Sequence, residues 1–157
     1  MMKKIIIVLI TLIAAPLFAQ KHTAIEDVDL INAHKSALIK EYPHLIDKIK
    51  IERVDQINEH HSKIVYYDDG VYHEAIVNSD RKDLLLIATF REIQKSTLPK
   101  IVFDAWKQSE FGDWKTEKMY KVTTPYDGWF YSIDVVKDNK TKRLFYSDLG
   151  RYKETLY

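Results

Sequence analysis

The chain has 157 residues, 24 Lys and Arg against 23 Asp and Glu, and no cysteine. A formal charge of +1 supplies no long-range field for holding a polyanion, which argues against a nucleic-acid partner. The lack of cysteine excludes a disulfide scaffold, a thiolate metal site and a cysteine nucleophile. At 46% hydrophobic and 30% charged the sequence is one that folds, and ten tyrosines point to strands with aromatic faces.

In chain order, Lys3 and Lys4 precede an apolar run from Ile5 to Ile13 that only Thr11 interrupts, and Pro16 then breaks the segment before Leu17-Phe18-Ala19-Gln20. This is the pattern of a signal peptide over residues 1–19 with cleavage after Ala19. An uncleaved anchor is the alternative, but Ile5 to Ala19 falls short of the ~20 apolar residues a bilayer requires. The expectation is an exported protein, periplasmic or secreted, with no stable membrane insertion after cleavage and one domain over 20–157. From Asp29 to Tyr42, the residues Leu30, Ile31, His34, Ala37, Leu38 and Tyr42 recur at helical spacing, and Pro43 stops the helix. A strand is expected over Ile49 to Asn58, then a polar turn to Ser62. The pair Asp69-Gly70 opens a hairpin into Val71–Val77, and Leu84–Phe90 reads as a buried strand. A second helix is expected from Ser96-Thr97-Leu98-Pro99, with Thr97 as its cap, Ile101, Val102, Ala105 and Trp106 on its buried face and Gly112 as its limit. Trp114–Thr124, Asp127-Gly128 with Trp129–Val135, and Leu144–Leu149 then repeat the earlier order. The sequence therefore predicts an α+β fold: two tandem units of helix plus antiparallel β-meander, about 27–95 and 96–157, forming one compact domain.

Strand alternation assigns the faces. Trp129, Tyr131, Ile133 and Val135 share one side, with Phe130, Ser132, Asp134 and Val136 on the other. In the first half Val71, His73, Ala75 and Val77 lie opposite Tyr72, Glu74 and Ile76.

Leu98-Pro99 with Val102 and Ala105, the Trp114-to-Val122 strand, Tyr131-Ser132-Ile133-Asp134-Val135 and Phe145-Tyr146-Ser147-Asp148-Leu149-Gly150 together carry a family likeness. In these segments the chain resembles the PepSY-like, or β-lactamase-inhibitor-like, group of small exported proteins of Bacteroidetes-type bacteria. The resemblance implies helix-plus-antiparallel-sheet repeats and no shared catalytic residues. Inhibition does not follow from it, because the family's name reflects fold similarity.

His60-His61 is the one local hint of a metal site, but no third ligand stands at a diagnostic spacing, and a solvated turn is the simpler reading. His73 and Glu74 project from opposite strand faces and cannot act as an acid–base pair. Asp134 is a general base only if buried, and otherwise the polar half of an amphipathic strand. No nucleophile elbow, phosphate loop or dinucleotide fingerprint is present. Functional weight falls on the aromatics. Tyr72, Trp129, Tyr131 and Tyr146 are the candidate partner-binding residues, since Tyr and Trp are enriched at protein–protein hot spots. The expected function is a non-enzymatic exported module, without cofactor, that contacts another envelope or secreted protein through an aromatic sheet, in an inhibitor-like manner. A periplasmic carrier of a small ligand or metal, with its pocket between helices and sheet, is the alternative.

Overall fold

The structure, a computed structural model, describes residues 23–80 and 84–154. The leader expected over 1–19 lies outside the described residues. The elements are β1 (Thr23–Ala24), α1 (Val28–Glu41), β2 (Lys50–Gln56), β3 (His61–Asp68), β4 (Val71–Asn78), β5 (Leu85–Glu92), α2 (Lys100–Gln108), β6 (Lys115–Thr124), β7 (Gly128–Lys137), β8 (Lys140–Ser147) and β9 (Tyr152–Lys153). The nine strands of the described residues join one sheet in chain order, each antiparallel to the next.

This corrects the expected fold class. The molecule is mainly β, one continuous antiparallel sheet with two helices laid on it, and not two tandem helix-plus-meander units. The cause lies at the β5–β6 pairing, where Thr89, Phe90, Arg91 and Glu92 register with Thr123, Val122, Lys121 and Tyr120. The ladder therefore runs through the middle of the molecule without an edge. A shared apolar cluster seals that junction, drawing Ile76, Ala88 and Phe90 from one side and Tyr120, Val122, Phe130 and Phe145 from the other.

Local chemistry explains the elements. Asp27 caps α1, accepting from the Asp29 and Leu30 amides at 2.9 and 3.0 Å, and the helix ends at Glu41, ahead of Pro43. Its inward stripe is His34, Ala37 and Leu38. His34 is 1% exposed. Its Nδ1–H donates to the Leu30 carbonyl at 2.7 Å, and its Nε2 accepts from the Ser62 hydroxyl at 2.5 Å, which ties α1 to β3. The second helix departs from expectation at its start. Pro99, not Thr97, stands at the N-cap without a side-chain cap bond, while the Thr97 hydroxyl is spent on the Gln94 carbonyl in a preceding 3₁₀ turn. Val102 and Trp106 are buried as expected, whereas Ile101 is 52% exposed. Asp69 and Gly70 both take positive φ in the two-residue β3–β4 turn, as do Asp138 and Asn139 between β7 and β8, the geometry that matches strand twist.

The two sheet faces are filled differently. On one, α1 covers Val54, Ile64, Tyr66, Ala75, Val77 and Leu86, and α2 covers Met119, Ile133, Val135, Leu144 and Tyr146. The other carries no helix and closes on itself. Glu74 on β4 and Arg143 on β8 stand four strands apart. On a flat sheet that is roughly 19 Å, yet the Arg143 guanidinium donates to Glu74 at 2.8 Å. Likewise the Lys118 ammonium of β6 sits 3.6 Å above the Tyr72 ring of β4, and the Phe90 and Phe145 rings, from β5 and β8, lie 6.3 Å apart. The sheet is curled towards its helix-free side, and this inner face is packed with its own side chains.

Candidate functional site

Register places one residue per strand in a continuous row across the helix-bearing face: Tyr66, His73, Arg91, Lys121, Tyr131, Tyr146 and Tyr152. Helix α2 covers Tyr131 and Tyr146 of this row, whereas Tyr152 at its end is 47% exposed. Tyr146 is 1% exposed and Tyr131 is half-buried against the α2 cluster, so both fill the core. The near end stays open, because α1 stops at Glu41 and the chain turns away through Pro43–Leu45. There a groove of about 230 Å³ is floored by Tyr66, Asp68, His73, Thr89, Arg91, Lys121 and Thr123 and roofed by Tyr42, His44 and Leu45. The Tyr66 and His73 rings stack at 5.0 Å, tilted by 24°, and the Tyr42 and Thr89 hydroxyls meet at 3.2 Å. Burial, aided by Arg91, pushes the His73 imidazole below its ordinary pKa, against the pull of Asp68.

The inner face holds the main ion network. Arg143 grips Asp134 with two bonds of 2.6 and 2.7 Å and Glu74 with one of 2.8 Å. Tyr72 donates to Glu74 at 2.9 Å, and the Lys63 ammonium lies 4.0 Å from the same carboxylate. Burial alone would raise the Glu74 carboxyl, but the charges of Arg143 and Lys63 and the Arg143 and Tyr72 hydrogen bonds outweigh it and hold Glu74 below its usual value. Two carboxylates thus converge on one guanidinium, with the Lys63 ammonium as a second positive charge beside Glu74. Glu74, held below its usual value, is not poised as a proton donor near neutral pH. Asp134 is accordingly a partner in a half-buried ion relay, not the wetted half of an amphipathic strand. Arg143 was not singled out from the sequence. Its signal was available in Asp134, flanked by Ile133 and Val135, and in Glu74 and Arg143, each followed directly by an apolar strand residue.

His60 and His61 stand at the β2–β3 turn with rings edge-on at 6.5 Å. His60 Nδ1 bonds Asp80 at 2.6 Å, an interaction that raises its pKa above the ordinary value, and His61 packs on Asn58. Among the described residues no group of three or more His, Asp or Glu is placed to share a metal ion.

Of the four aromatic candidates, Tyr72 is half-buried on the inner face, under Lys118 and edge-on to Tyr67. Only Trp129 stands clear. It is 53% exposed, with the Lys121 ammonium 4.2 Å over its ring. Tyr126, in the β6–β7 turn just before it, is 83% exposed and shares an apolar notch with Leu85 and Ile87. Tyr126 is not among the residues that sequence reasoning selects. Its place between Pro125 and Asp127, in a turn that cannot bury a ring, was the usable signal.

No family model matches the chain, and no curated protein matches it in sequence. Solved structures do. A BLIP-like protein from Bacteroides fragilis aligns with a TM-score of 0.53 at 22% identity, over 78% of this chain and 82% of the other. A protein from Bacteroides eggerthii named as periplasmic aligns at 0.54 and 18% identity, over 77% and 84% of the two chains. A DUF2874 family protein from Bacteroides uniformis aligns at 0.54 and 15%, over 76% and 83%. The chain shares the fold of these BLIP-like and DUF2874 structures. No helix among the described residues is long and apolar enough to cross a membrane.

Proposed function

We infer that this protein is an exported, non-enzymatic binding module that works by contact with another envelope or secreted protein. The observation that carries the reading is the aromatic end of the sheet. Trp129, Tyr126 and Leu85 are 53%, 83% and 36% exposed; Tyr126 and Leu85 line one notch, and Trp129 follows the same β6–β7 turn. A rigid sheet holding an exposed Trp and Tyr beside an apolar notch supplies the residue types that anchor protein interfaces. The contact surface is therefore this outer end, since the inner-face aromatics are consumed by packing. Likeness to a BLIP-like fold supports a binding role, and likeness to a protein named as periplasmic supports export. The Glu74 and Asp134 carboxylates are both engaged by Arg143.

The test is affinity capture from native envelope extract, with the tagged wild type and a Trp129→Ala/Tyr126→Ala variant as baits. Both side chains are exposed, so the variant keeps its unfolding midpoint. A stoichiometric protein captured by the wild type and lost with the variant is the expected result. Equal capture by both baits, or none by either, would remove this surface as the site of action.

A further inference from the structure

We propose that the groove beneath the end of α1 is a binding site for a small planar monocarboxylate that carries a hydrogen-bond donor at the end opposite its carboxylate. The argument begins with charge. Arg91 and Lys121 are direct register partners across β5 and β6, on the same face, and like charges placed so are destabilising. Neither forms an ion pair among the described residues; the Lys121 ammonium leans on the Trp129 ring instead. A guanidinium and an ammonium on neighbouring strands lining one groove suit a carboxylate, the Arg offering a planar fork and the Lys a point charge.

The opposite end of the groove has the opposite need. Asp68, on β3, keeps its Oδ1 buried without a hydrogen-bond donor among the described residues. A buried acceptor left unmet is costly, and a donor on the ligand would satisfy it. A second anionic group there would be repelled, so one end of the ligand carries its negative charge. Between the two poles the walls are flat and aromatic, the stacked Tyr66 and His73 rings facing Tyr42. At about 230 Å³ the space is below the ~300 Å³ at which drug-sized pockets begin. It suits one ring with two substituents. The groove lies astride the β5–β6 junction, on the opposite side of the sheet from the Arg143 network; it shares Lys121 with the Trp129 surface, and its test reads ligand binding and not capture of a partner.

The probe is 4-hydroxybenzoate, followed through the His73 and Tyr66 ring signals by NMR, with benzoate and 4-hydroxybenzamide as controls. The acid should give saturable shifts. The amide, of the same shape but neutral, should bind at least about tenfold more weakly, as should the acid to Arg91→Ala, given the strength of charge-assisted hydrogen bonds. Benzoate, lacking the far donor, should fall between. No saturable shift with the acid, amide binding equal to acid binding, or an undiminished affinity in Arg91→Ala would each overturn the assignment. Arg91 is exposed, so the variant is expected to fold; if it does not, the acid–amide comparison on the wild type decides alone.

Discussion

His60 and His73 carry opposite electrostatic surroundings on the same protein. Asp80 accepts from one ring in open solvent, and stacking under α1's exit buries the other against Tyr66, with Arg91 as its strand neighbour. A pH titration followed by NMR should therefore find His60 losing its proton above 6.5 and His73 below it. The reverse order would mean that the His60–Asp80 pair does not persist or that the groove is wetter than described. Glu74 follows the same logic with the sign of an acid. Its folded value lies below 4.5, so the stability it lends is complete above that pH and drains away as pH falls through the lowered value. These placements were partly legible. Alternation put His73 and Glu74 on opposite faces, but nothing local announced that Glu74 would meet a residue 69 positions away.

Among the elements, the segment after α2 is the most constrained. A Cβ on Gly112 would stand 2.2 Å from the Lys107 carbonyl oxygen, so the chain can recross the helix end only because this residue has no side chain. Gly112→Ala should cost roughly 1–3 kcal/mol in chemical denaturation, the range for overpacking against a rigid neighbour, and a loss near zero would show that the turn relaxes freely. The sequence marked Gly112 as the helix's outer limit, which holds, although the last helical residue is Gln108. Helix starts were harder. The sequence reading names no cap for α1, where Asp27 serves, and it expects Thr97 for α2, whose hydroxyl closes the turn before. At both starts several polar residues stand within a turn of one another, and propensity alone does not separate them. Turns and strand faces, governed by local φ and by alternation, were read more surely. Asp69-Gly70 and the opposed sets around Trp129 and Phe130 lie where the pattern puts them.

At the scale of the molecule, the order of helices and strands suggested separate units because periodicity reports each element and is silent on what joins them. The joining comes from β5 pairing with β6 and from an apolar cluster that neither half completes alone. Curl has the same origin. It is written in contacts between strands that are distant in sequence, chiefly Arg143 with Glu74, and it decides which surfaces are left for function. The inner face is filled, while the Trp129 end and the groove under α1 stay open. A double-mutant cycle on Glu74→Ala and Arg143→Ala, read by equilibrium unfolding, probes that curl most directly, with Asp134→Ala and Arg143→Ala as the adjacent-strand control. If β4 and β8 meet across the inner face, the Glu74–Arg143 coupling should reach about 1–3 kcal/mol, as for neighbours in space. Additivity within about 0.5 kcal/mol for that pair, with coupling retained in the control, would mean the strands stand apart. The inner face would then be open, and the functional surface would have to be sought there.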